Sequence, residues 1–193
     1  MEAQVSHLPA IEGIWEEHLG VAVALRSLAA EVDQVVAMVA RSMAAGGVLL
    51  VCGNGGSAAD AQHIAAELTG RFLRDRRALP ALALHGNTSS LTAIGNDYGY
   101  DEVFAREVEA HGRKGDVLLA ISTSGNSRNV VRAIETARDK QMMVVGLTGE
   151  HGGKMRDLCD VCLCVPSSST PRIQECHILI GHTICELLEQ ILC

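Results

Sequence analysis

Two runs in this chain, Val117-Leu118-Leu119-Ala120-Ile121 and Met142-Met143-Val144-Val145-Gly146-Leu147, carry no polar side chain. A strand with one wet face alternates polar and apolar residues, so runs like these need cover on both sides. Parallel strands between two layers of helix meet that need. Similar runs alternate with helical patterns along the chain. Val48–Cys52, Pro80–His85, Asp116–Ser122, Met142–Thr148 and Val161–Val165 read as five strands. Ser57–Gly70, Thr88–Ile94, Glu102–His111, Arg128–Gln141, a short piece near Lys154–Leu158 and a long Ile173–Leu192 read as helices. One or two amphipathic helices within Ile11–Ala45 precede the first strand and end at Gly46-Gly47. The expected fold is α/β: a doubly wound five-stranded parallel sheet with N-terminal helices and a long C-terminal helix. Ligands of such sheets bind beyond the carboxyl ends of the strands.

A chain of 193 residues suits one domain. Residues 1–45 form its helical segment, long enough to pack also against a partner subunit, and residues 46–193 its α/β core. Sixteen basic against 23 acidic residues, a net charge of −7, argue against a general nucleic-acid binder. They leave room for a local phosphate site, where oriented dipoles outweigh a diffuse global charge. The segment Met1–Val5 shows no basic region followed by an apolar run, and no apolar stretch reaches membrane-spanning length. The expectation is a cytoplasmic protein that touches no membrane. Seven cysteines, an odd number set mostly in apolar runs, read as reduced thiols. Cys159, Cys162 and Cys164 have the spacing of a metal knuckle, but Asp160–Val165 reads better as a buried strand. His7, His18, His85, His111 and His151 read as surface or loop residues.

Two strand-end loops carry the chemistry. Gly53-Asn54-Gly55-Gly56-Ser57 follows the first strand and opens a helix. It is neither a dinucleotide fingerprint nor a Walker loop. Its backbone N–H groups and the Ser57 hydroxyl suit an anion, and Ser57 with Asp60 also reads as an approximate helix-capping pair. Ser122-Thr123-Ser124-Gly125-Asn126-Ser127 follows the third strand and packs four hydroxyls into six residues, a cluster suited to a phosphate monoester. Further along the first of these helices, His63 and Glu67 share one face. On the last helix, Gln174 and His182 lie within about a quarter turn of each other, with His177 to the other side. Two histidines, a carboxylate and an amide oxygen make a zinc set, the alternative being histidines satisfied in the core. Asn96 and Asp97 read as a polar, glycine-bounded loop, either a polyol contact or an Asx turn.

With Cys52–His63, Ala93–Tyr100, Gly115–Ser127 and Arg172–His177 in view, the chain resembles the phosphoheptose isomerases of the sugar-isomerase (SIS) domain superfamily over nearly its whole length. The resemblance implies that Ser57, Ser122, Thr123, Ser124 and Ser127 hold the phosphate, with Gly55 and Gly56 in the same turn. It implies that Asn54, Asn96, Asp97 and Gln174 line the sugar site. It implies one zinc per subunit on or near His63, Glu67, Gln174 and His182, in homotetramers whose sites lie between subunits. The implied reaction turns sedoheptulose 7-phosphate into D-glycero-D-manno-heptose 7-phosphate, the first step toward nucleotide-activated heptose. Within it Glu67 would move the C1/C2 proton through an enediol, and His182 would shuttle the proton between O1 and O2. The rival reading is a non-catalytic SIS-domain protein that binds the replication initiator. Such proteins share the serine loops but lack the glutamate of His-x-x-x-Glu and the final-helix histidine, both kept here. A sugar-phosphate-sensing regulator is a third reading, without an attached DNA-binding segment.

Overall fold

The computed structural model describes residues 6–193; Met1–Val5, where the sequence shows no signal-peptide pattern, lies outside them. Strands β1 (Leu49–Gly53), β2 (Ala81–Ala83), β3 (Val117–Ile121), β4 (Met143–Gly149) and β5 (Val161–Val165) form one parallel sheet in the order β2-β1-β3-β4-β5. The order reverses between β1 and β3, which is where an open α/β sheet leaves a crevice for ligands. Register sharpens this: Gly53 stands opposite Ile121, so the glycine turn and the hydroxyl loop leave the sheet side by side.

Alternate residues of the strands serve two separate cores. Leu49, Val51, Leu119, Ile121, Leu147 and Leu163 pack against α2 (Ala29–Ala44), α3 (Gly56–Thr69) and α7 (Thr170–Leu192). Leu50, Cys52, Leu118, Ala120 and Val144 pack on the other face against α5 (Val103–His111) and α6 (Arg128–Asp139). Both faces are therefore dry, as the unbroken apolar runs require. Cys162 and Cys164 lie in β5 with their thiols beside Thr148.

Several boundaries differ from the sequence expectation. Helix α4 runs Thr88–Tyr98, four residues past Ile94, so Asn96 and Asp97 are helical rather than in a loop. Gly95 does not break the helix; the stop is Gly99, whose φ of 90° is open only to glycine at low cost. Helix α7 starts at Thr170 because Pro171 suits a first helical turn. The piece near Lys154 is a 3-10 turn, Gly153–Met155. Helix α1 (Leu8–Ala24) is joined to α2 by another such turn, Leu25–Leu28, and buries none of its side chains. Among the described residues no helix is long and apolar enough to cross a membrane.

Candidate active site

The glycine turn after β1 is shaped by backbone needs. Gly55 has φ 56°, and a Cβ on Gly53 would lie 2.7 Å from the Ser57 carbonyl oxygen. This tight entry makes Gly55 the residue that precedes α3. Ser57 is then already inside the helix and makes no side-chain cap, contrary to the capping expectation. Its buried side chain sits in the first helical turn, where backbone N–H groups lack helical partners. Asp60 is not a capping partner either. Its Oδ2 is buried without a hydrogen bond; burial raises its pKa, and the nearby His63 opposes that rise. His85, expected on the surface or in a loop, lies in the turn after β2 but is buried, and its Nε2 donates to the Ala58 carbonyl at 2.9 Å.

Beside that turn, the hydroxyl loop is self-organised. Ser122 Oγ is 2.9 Å from Ser127 Oγ and 3.5 Å from Ser124 Oγ, and Ser124 Oγ accepts from the Asn126 N–H. Ser127 precedes α6 but spends its hydroxyl on Ser122 rather than on a cap. The two loops are stitched together by amides. Asn54 Nδ2 donates to Asn129 Oδ1 and Asn129 Nδ2 donates back to Asn54 Oδ1, both at 2.9 Å. Tyr100 Oη donates to the same Asn54 oxygen at 3.2 Å. No sequence motif marks Tyr100, and the one signal for Asn129 is an amide in the first turn of a helix, followed by Val130 and Val131.

The second cluster lies further along α3. His63 Nε2 is 2.9 Å from Glu67 Oε1 and 3.3 Å from His182 Nε2 on α7, and the three ligand atoms all fall within 4.8 Å of one another. The donor set fits zinc: two imidazoles and a carboxylate are its ordinary ligands, and a tetrahedron with bonds of about 2.0–2.1 Å has edges of roughly 3.3 Å. Three protein ligands leave a fourth position open, as in catalytic rather than structural sites. The Phe72 ring packs beside His182 with centroids 5.3 Å apart.

Gln174 is placed by its contact with the glycine turn. Its amide lies over the glycine turn, where a Cβ on Gly56 would come within 2.6 Å of Nε2. Eight residues separate it from His182, about 12 Å of helix. His177 is fully buried and its Nε2 donates to the Thr148 carbonyl at 3.1 Å. Burial pushes its pKa down to about 4, against the opposing pull of that hydrogen bond. Asn96 donates to Asp97 at 2.8 Å; among the described residues no hydrogen bond ties either to the loops or to the histidine cluster.

A 2-1-3-4-5 parallel sheet with a glycine turn and a serine-rich loop side by side at its crossover defines a doubly wound α/β domain with an anion-binding type of crevice. The SIS domain family model matches residues 21–149. A phosphoheptose isomerase from Rhodospirillum rubrum is 57% identical over 169 residues, 88% of this chain and 90% of that protein. The solved phosphoheptose isomerase of Neisseria gonorrhoeae superposes with a TM-score of 0.91 at 43% identity, covering 96% of this chain and all of the other. That of Francisella tularensis gives 0.93 at 37% identity over the same shares. The chain belongs to the phosphoheptose isomerase family of SIS-domain proteins.

Proposed function

We infer that this chain interconverts sedoheptulose 7-phosphate and D-glycero-D-manno-heptose 7-phosphate by aldose–ketose isomerisation. Isomerase activity on a phosphorylated heptose follows from the family; the residue roles are proposals. One observation carries them: His63, Glu67 and His182 converge on helices that also frame the phosphate loops. The replication-initiator reading draws no support from the matched relatives, which are named as isomerases.

The proposed division of labour follows α3. At its start, Ser57, Gly55 and Gly56 join Ser122, Thr123, Ser124 and Ser127 to hold the phosphate through hydroxyls and helix-end N–H groups. Six residues on, roughly 9 Å by helix rise, comes His63. A sugar held by its phosphate at one end is thereby presented by its carbonyl end to the histidine cluster. Asn54, locked by Asn129 and Tyr100, and Gln174, lying over the glycine turn, suit the sugar hydroxyls; Asn96 and Asp97 are proposed there on the family pattern alone. Glu67 takes the proton from one carbon of the C1–C2 pair and returns it to the other. His182 carries the proton between the two oxygens. His63, Glu67 and His182 would each give one atom to a zinc, which would polarise the sugar carbonyl, leaving the second carboxylate oxygen of Glu67 and the second ring nitrogen of His182 for the protons. The position of the Gln174 amide favours a substrate role over metal ligation.

The exposed apolar residues of α1, among them Leu8, Ile14, Trp15, Leu19 and Val23, favour burial against other copies of the chain. We propose a cytoplasmic homotetramer with residues 1–45 as its assembly segment. Incubation of the purified protein with sedoheptulose 7-phosphate tests the whole reading: an aldoheptose phosphate must accumulate, and its absence overturns it.

A further inference from the structure

A buried ion pair outside the site holds the pieces of the site together. Arg76 and Glu189 side chains are only 3% and 1% exposed, with Nε 2.8 Å from Oε1. A buried pair is often no more stabilising than apolar residues of the same size, so its use must be sought in geometry. Glu189 lies on α7, seven residues beyond His182. Its carboxylate also accepts the backbone N–H groups of Phe72, Leu73 and Arg74, at 2.8, 2.9 and 3.1 Å. Most of the remaining Arg76 donors go to the end of α3: Nη1 to the carbonyls of Leu68 and Gly70, and also to that of the neighbouring Arg77, and Nη2 to that of Glu67 itself. One pair thus ties the backbone of Glu67, the helix of His182, and the loop that sets Phe72 against the His182 ring.

We propose that Arg76 and Glu189 are positioning residues for the His63–Glu67–His182 cluster. They fix the spacing of α3 and α7 at the end where the reaction occurs and leave the phosphate end of α3 alone. The proposal rests on the reading of that cluster as the reacting centre. Outer partners of this kind typically change metal affinity or activity by about 10–100-fold when altered.

The test uses the full-length protein with carbon-13 labelled histidine, first metal-free and then titrated with zinc against a chromogenic chelator. Arg76→Lys keeps the charge and loses the guanidinium fork; Glu189→Gln keeps the shape and loses the charge. In each folded variant the His182 imidazole signal moves or broadens while that of buried His177, on the same helix, stays in place. Zinc affinity falls about 10–100-fold. Turnover falls with it, while KM and inorganic phosphate binding stay within about twofold, an outcome that general loosening of the fold would not give. Unchanged His182 signals and zinc affinity in either folded variant overturn the proposal, as does failure of both variants to fold, which leaves the pair a fold-keeping role. A wild-type protein that neither binds zinc nor isomerises the sugar phosphate defeats the functional reading instead, and the metal-free His182 signal still decides the positioning role.

Discussion

His63 and His182 bring their Nε2 atoms to 3.3 Å across 119 residues of sequence. The approach depends on the residue before His182. A Cβ on Gly181 would lie 2.7 Å from Cδ1 of Ile64, which is fully buried and has nowhere to retreat. Gly181→Ala gains about 1 kcal/mol of helix propensity and costs roughly 1–3 kcal/mol in overpacking. The expected result is a small net loss of stability in urea denaturation, together with a drop in zinc affinity of about tenfold or more as α7 is pushed off α3. Wild-type zinc affinity in this variant would show that the helices have slack.

Glu67→Gln keeps the size of the side chain and removes its basicity. Loss of a general base costs about 10²–10⁴ in rate. We expect aldoheptose formation to fall at least that far, with the circular dichroism of the fold unchanged, because the Glu67 side chain is partly exposed at 24% and its hydrogen bond goes to the half-exposed His63. Activity within tenfold of wild type would assign the carbon proton to another group.

The sheet was legible because its strands are apolar on both faces, which only a covered parallel sheet tolerates. The His63–Glu67 pair was legible because the helical period alone places residues four apart together. The meeting with His182 was not, since it depends on how closely two helices approach, and Gly181 against Ile64 is one tertiary contact that limits it. The Asn54–Asn129 pair was hidden for the same reason: each amide satisfies the other across 75 positions. Ser57 was misread as a cap because its propensity is strong, whereas the left-handed turn at Gly55 starts the helix earlier. Arg76 and Glu189 carry no sequence signal, because only the tertiary fold brings two charges 113 positions apart together and buries them.

The Ser122–Ser127 hydroxyl pair, 2.9 Å apart, is arranged before any ligand arrives. A hydrogen bond to a charged group contributes about 1.5–3 kcal/mol, a factor of roughly 10–100 in binding. Ser127→Ala therefore raises KM for the sugar phosphate by about that factor and moves kcat far less, because the phosphate is held alike in ground and transition states. Steady-state kinetics separates the two. A fall in kcat with KM unchanged would place Ser127 at the reacting carbons instead.

His177 makes the fold itself sensitive to acid. Its pKa is lowered from the ordinary 6.5 to about 4 in the folded chain. The unfolded chain therefore binds the extra proton first as pH falls. The contribution to stability is complete above about pH 6.5 and is lost progressively down to about pH 4. A shift of this size corresponds to roughly 3 kcal/mol. Urea denaturation of the wild type between pH 4 and 7 should show that slope, and His177→Gln should flatten it while lowering stability at pH 7, where the Thr148 carbonyl loses its imidazole partner. Because Thr148 is buried on β4 and His177 on α7, this variant also loosens the seat of the helix that carries His182. Equal slopes in the two proteins would mean that His177 takes up its proton without unfolding, and that the acid sensitivity arises elsewhere.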